Sequence, residues 1–109
     1  MPVLSSQIRL LGRLFLYTTI GMASKASLRG AQLRGANLAG ADLTEADLTG
    51  ANLLGADLTN ARLVQADLHN STLRDAVLQR ADLSQVNLQE ASYTEEQLAT
   101  AYRRWNIIS

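Results

Sequence analysis

A five-residue beat runs from Ala26 to Glu95 without slipping: a small residue, a polar residue, Leu, then two variable positions. Fourteen units follow in this phase, with Leu at the centre of thirteen, from Leu28 to Leu88, and Tyr93 at the centre of the last. The residue two before the centre is Ala in twelve units, Ser71 and Val86 being the exceptions. Neither regular element can use that beat. On an α-helix, at about 100° per residue, a step of five turns each successive Leu by about 140°, and the leucines spray round the axis. On a flat strand side chains alternate faces, so an odd step throws every second Leu to the opposite side. The chain must therefore turn once per unit. Within a unit the Ala and Leu lie two apart and share one side of an extended segment, while the polar residue between them faces out. The last two positions make the corner, and glycine at the second of them, as at Gly50, relieves the steric limit on a tight turn. The pattern predicts a solenoid.

The run from Ala36 to Leu58, ANLAGADLTEADLTGANLLGADL, resembles the A(D/N)LXX motif of the pentapeptide-repeat proteins, and the likeness extends over all fourteen units. The resemblance implies an all-β solenoid: a right-handed quadrilateral β-helix with four units per coil. Handedness and square section come from the resemblance; the period alone gives an inward-facing coil. Fourteen units then make about 3.5 coils, roughly 17 Å tall at the spacing of paired strands. Adding twenty predicts four interior ladders. Leu28, Leu48, Leu68 and Leu88 form one, and Leu33, Leu53, Leu73 and Tyr93 the next. Leu38, Leu58 and Leu78 make the third, Leu43, Leu63 and Leu83 the fourth. Arg62, Thr72 and Val77 depart from the motif at the outward position, as Ser71 and Val86 do at the small one. The second half is the less regular.

So short a column needs covered ends, because open ones expose leucines and unpaired backbone. Residues 1–25 read as an N-terminal helical cap, 26–95 as the β-helix and 96–109 as a C-terminal helical cap and tail. At the C-terminal side, Thr94 followed by Glu95, Glu96 and Gln97 reads as a capping box opening a helix through about Arg104. Leu98, Ala101, Tyr102 and Trp105 share one stripe of that helix and are expected to cover the last coil, with Ile107 and Ile108 adding apolar surface. At the other end Leu4, Ile8, Leu11 and Phe15 fall on one helical face after Ser5 or Ser6. The alternative for residues 1–25 is a targeting or membrane-surface segment, since Arg9 and Arg13 precede an apolar run from Leu14 to Ala23. That run is too short to span a bilayer and carries Tyr17, Thr18 and Thr19. A cytoplasmic cap is the preferred reading.

Charge changes the picture only by its distribution. The formal net charge of zero splits into +3 over residues 1–25, −4 over the repeats (nine acids against five arginines) and +1 over the tail. Five arginines set among nine acids make no basic stripe, so direct nucleic-acid binding is not expected. The absence of cysteine removes disulfide and thiol chemistry. His69, the only histidine, sits outward without convergent partners for catalysis or a metal. The outward acids Asp42, Asp47, Asp57, Asp67 and Asp82 lack the glycine-rich nonapeptide turns of calcium-binding solenoids. The glycines never spell a dinucleotide or P-loop signature. No enzyme, cofactor or metal site is expected.

Function is then left to the outer wall. Stacking by twenty puts Arg34, Leu54 and Arg74 in one column, where an apolar residue between two arginines resembles a small interface centre. The expected role is a structural or protein-interaction module with a protein partner that the sequence does not name. End-to-end dimerisation through the apolar tail is a further expectation. The resemblance implies a bacterial, cyanobacterial-type setting and one alternative activity: imitation of duplex DNA to inhibit or protect DNA gyrase or topoisomerase IV. Duplex DNA carries a charge per about 1.7 Å, about ten over a column this tall. Against that, the repeats net only −4, interrupted by Arg62, Arg74 and Arg80.

Overall fold

From Ser27 to Ser92, outward residues twenty positions apart pair in parallel. Ser27, Asp47, Asp67 and Asn87 line one wall; Gln32, Asn52, Thr72 and Ser92 the second; Asn37, Asp57 and Val77 the third; Asp42, Arg62 and Asp82 the fourth. The computed structural model describes residue 25 and residues 27–109. The N-terminal helix expected on Leu4, Ile8, Leu11 and Phe15, and the targeting alternative for residues 1–25, lie outside the described residues. The rest is a parallel β-helix with four walls, wound in the register that the period predicts.

One unit shows why the coil is closed. In Ala51–Gly55, the Ala51 N–H donates to Leu48 O across the corner, at 3.0 Å, and Asn52 N–H reaches down to Ala31 O at 2.9 Å. Leu53 and Gly55 N–H donate up to Thr72 O and Arg74 O, at 2.8 and 2.9 Å. The remaining N–H, that of Leu54, donates to the side chain Oδ1 of Asn52 at 3.1 Å. Four of five amides are taken by backbone and the fifth by the unit's own Asn or Asp, which satisfies the rule that backbone donors find partners. The motif's Asp/Asn is thus a turn-closing acceptor.

The corner also dictates its last residue. The fifth position of every described unit from Lys25 to Glu90 has φ near +60°, whether or not it is glycine. At Gly50 an added Cβ would meet nothing within 4 Å, so the demand there is conformational, not spatial. Asn60, Asn70 and Asp75 tolerate that region, while Lys25 and Glu45 in the first half and Gln65, Arg80, Gln85 and Glu90 in the second hold it at a cost of roughly 1–2 kcal/mol each. The first half of the column is therefore the less strained.

Inside, the thirteen ladder leucines are 0–1% exposed. Tyr93 is only half-buried and packs at the margin of this core. Ser71, standing where Ala is the rule, buries a hydroxyl without a hydrogen-bond partner, a penalty of about 1–3 kcal/mol against Ala.

The C-terminal end departs from expectation. A helix, α1, spans Glu95–Ala99 only; it does not run on to Arg104. Its capping box is formed as predicted, and Leu98, twenty residues after Leu78, is buried. After Thr100 the chain returns to the wall. Arg103 pairs with Asp82 and Ile108 with Asn87, now twenty-one residues apart. The reason is the open backbone left by the preceding layer. Tyr102 N–H reaches Ala81 O, while Leu83, Gln85 and Leu88 donate to Arg103, Trp105 and Ile108 carbonyls, at 2.6–3.0 Å. A longer helix would have left those groups unmet. Asn106 takes the corner conformation, φ 57°, as Gln85 does one layer below. Tyr102 and Trp105 do not cover the last coil: they are 65% and 58% exposed. The first wall, from Ser27 to Ile108, holds five stacked layers, or four full coils rather than about 3.5.

Candidate functional site on the outer wall

The column anticipated at Arg34, Leu54 and Arg74 is assembled by the backbone. Gly35 N–H donates to Leu54 O and Gly55 N–H to Arg74 O, at 2.8 and 2.9 Å, holding the three residues on successive layers. Arg34 and Arg74 are exposed and Leu54 half-buried. The next position up the column is Thr94, the N-cap of α1. Beside it opens a groove of about 490 Å³ lined by Arg74, Asp75, Ser92, Tyr93, Thr94 and Gln97. The strip therefore leads into a concavity, a feature the sequence did not disclose.

The outward carboxylates serve the turns. The Thr44 hydroxyl donates to Asp42 at 2.6 Å and that of Thr59 to Asp57 at the same distance. The Thr44 hydroxyl, opposed by partial burial and helped by the Thr44 N–H and the Arg62 charge, holds the Asp42 carboxyl below its ordinary value of 3.8. The hydroxyl and N–H of Thr59 do the same for Asp57. Partial burial pushes Asp47 upward, but Thr49 and Arg29 outweigh it and leave it lowered. Arg29 lies 3.6 Å from Asp47 as an exposed pair, worth little by itself. Carboxyls depressed in the fold take up protons first in the unfolded chain, so they add stability above the unfolded value and lose it as pH falls through the folded one. Thermal melts are expected to be flat above about pH 5 and to fall progressively below about pH 4. A melting temperature unchanged down to pH 2.5 would contradict this.

His69 is half-buried, and its backbone N–H donates to Asp67 Oδ1 at 3.0 Å. Among the described residues no group of three or more His, Cys, Asp or Glu is placed to hold a metal ion. No helix of the described residues is long and apolar enough to cross a membrane. Missed by the sequence reading were Tyr102 and Arg103 as wall residues. Arg103 continues the alternating column Asp42, Arg62, Asp82, and the one-residue slip at α1 hid that from a strict count of twenty.

A four-walled parallel β-helix, filled by Ala and Leu and closed by Asp/Asn turns, defines the class of protein. The chain belongs to the pentapeptide repeat family, whose model matches residues 26–63 and 53–90 in eight copies. Among curated proteins none matches it significantly. Solved structures do. The pentapeptide repeat protein Rfr23 from the cyanobacterium Cyanothece 51142 is 32% identical with a TM-score of 0.63, over 77% of this chain and 54% of that one. A pentapeptide repeat protein of the Arabidopsis thaliana thylakoid lumen is 26% identical, TM-score 0.64, over 77% and 55%. HetL of Nostoc sp. strain PCC 7120, involved in heterocyst differentiation regulation, is 31% identical, TM-score 0.64, over 79% and 37%. The chain thus spans about half the length of the first two and little more than a third of HetL.

Proposed function

We propose that this chain is a non-enzymatic structural and protein-interaction module, presenting the Arg34–Leu54–Arg74 column of a rigid, right-handed β-helix to a protein partner in the cytoplasm. The observation that carries the reading is the column itself. Three residues twenty apart in sequence stand on adjacent layers, cations outermost, and Arg74 at the upper end of the column lines the groove beside α1. A rigid wall loses little conformational freedom on binding, so a small patch retains more of its contact energy. The surface that fits has an apolar centre flanked by carboxylates. HetL, a relative involved in heterocyst differentiation regulation, is compatible with a non-catalytic reading. The exposed Tyr102, Trp105 and Ile108 of the last layer also support end-to-end pairing with a second copy. Light scattering that finds only monomer at high concentration would remove that part.

The test compares cross-linked capture from native lysate by the parent chain and by Arg34→Glu/Leu54→Glu/Arg74→Glu, after circular dichroism confirms that the variant folds. A partner held by the parent and lost by the variant is expected. Equal capture by both would refute this face. Capture of gyrase together with inhibited supercoiling would replace the reading by DNA mimicry.

A further inference from the structure

Three arginines line one concavity of the outer wall, one corner on from the Arg34–Leu54–Arg74 column. The hollow, about 330 Å³, lies at the corner of the third and fourth walls, between Arg62, Arg80 and Arg103, with Asn60, Asp82 and Tyr102 completing it. No carboxylate of the described residues lies within ion-pair distance of these three, Asp42 acting on Arg62 only from the layer beneath; the ion pair among the described residues, Arg29 with Asp47, belongs to the first wall. Asp82 is turned to its own corner, where Oδ1 accepts from the Ser84 N–H at 3.1 Å and the Ser84 hydroxyl at 2.6 Å.

The arginines are also held. Arg80 Nε donates to Asn60 Oδ1 at 3.0 Å, which leaves its terminal nitrogens free. Arg103 lies over the Tyr102 ring, 4.9 Å from the centroid, and one of its terminal nitrogens donates to the Tyr102 hydroxyl at 3.3 Å. That hydroxyl, already accepting, keeps its own proton to donate. Arg62 and Arg103 sit on the backbone-paired column with Asp82 between them. Three guanidiniums outnumber the two carboxylates near them, Asp82 in the hollow and Asp42 one layer beneath Arg62, so positive charge is left over until an anion joins them, and the guanidinium fork matches a tetrahedral oxyanion with two parallel hydrogen bonds.

We infer that this hollow is a binding site for a phosphate group, held by Arg62, Arg80 and Arg103 with the Tyr102 hydroxyl as a neutral donor. Asp82 weakens the site and biases it toward ligands able to satisfy all three cations. Nothing in this assignment depends on the Arg34–Leu54–Arg74 face.

The experiment is an amide NMR titration of the full chain at pH 7.5 with inorganic phosphate and, separately, phenyl phosphate. Saturable shifts confined to residues 60–62, 80–82 and 102–103 are expected. Arg103→Gln and Arg62→Gln should each weaken binding by about tenfold, the scale of one charge-assisted hydrogen bond. Asp82→Asn keeps the turn acceptor, removes the like charge and should tighten binding about two- to fivefold. Arg34→Gln, on another wall, should change nothing. Tighter binding of the ester would assign the site to a phosphorylated organic ligand, and tighter binding of the free ion to inorganic phosphate. The inference fails if shifts do not saturate, spread equally to Arg34 and Arg74, or are indifferent to Arg62→Gln and Asp82→Asn in variants shown to fold.

Discussion

Replacing Leu68 with Ala is expected to destabilise the column by about 3–5 kcal/mol, the upper part of the range for a buried Leu. Leu68 is fully buried in the ladder between Leu48 and Leu88. What decides the magnitude is how far the neighbours can collapse into the hole. Here they cannot come closer, because Leu48 N–H donates to Asp67 O and Leu68 N–H to Asn87 O, at 2.8 Å each, fixing the layers above and below. The matching change at Leu98, 5% exposed on the short helix α1, should cost less, since α1 can settle. Urea unfolding checks both: a midpoint lowered by about 2 M is expected for Leu68→Ala. Equal losses at the two positions would show that layer spacing does not limit relaxation.

Gln97→Ala should be the most damaging single change outside the core, at about 2–4 kcal/mol. Its side chain makes contacts on both sides. Oε1 accepts from the Thr94 N–H at 2.8 Å while the Gln97 N–H donates to Thr94 Oγ1 at 3.2 Å, completing the capping box. Nε2 donates to Leu73 O at 2.6 Å and Ala76 O at 2.9 Å. In the regular layers below, the carbonyl equivalent to Ala76 O receives a backbone amide, as Ala56 O receives that of Val77. Gln97 thus replaces a missing ladder bond with its own amide. Gln97→Glu separates the roles: it keeps the box acceptor but sets a carboxylate against two carbonyls. Hydrogen exchange should show amides of Arg80, Leu83 and Gln85 losing protection in both variants. Protection retained at those amides in Gln97→Glu would mean that the cap alone anchors the last layer.

The interior was legible because a strict period leaves few geometries. Thirteen leucines in one phase could share an interior only if the chain turned every five residues, and the ladders follow by arithmetic. The turn-closing role of the Asp/Asn position was readable in principle, from the spacing of Asp42 and Thr44 or Asp57 and Thr59. A polar residue facing out does not by itself announce what its side chain accepts. The tail misled for a different reason. Leu98, Ala101, Tyr102 and Trp105 fall at helical spacing, but the open backbone groups of the layer beneath, the N–H of Arg80, Leu83, Gln85 and Leu88 and the carbonyls of Ala81 and Val86, outweigh that local preference once the chain arrives there. Tertiary hydrogen bonding set the end of α1. For the same reason the arginine hollow was only half visible: Arg80 above Asn60 follows from the count of twenty, whereas Arg103 beside Asp82 does not.

The single extra residue between Arg80 and Arg103 behaves like a dislocation in a crystal. The lattice on either side is undisturbed, as the corner geometry at Gln85 and Asn106 shows, yet the phase of every later residue is displaced by one. The matched repeats end at residue 90, while the pairing persists to Ile108. Residues 102–109, which share no recognisable repeat, are nonetheless another storey of the same building. Solenoids of this kind can therefore be longer in space than in motif, and a five-residue helix opened by a capping box after the last repeat is where to look for the hidden continuation.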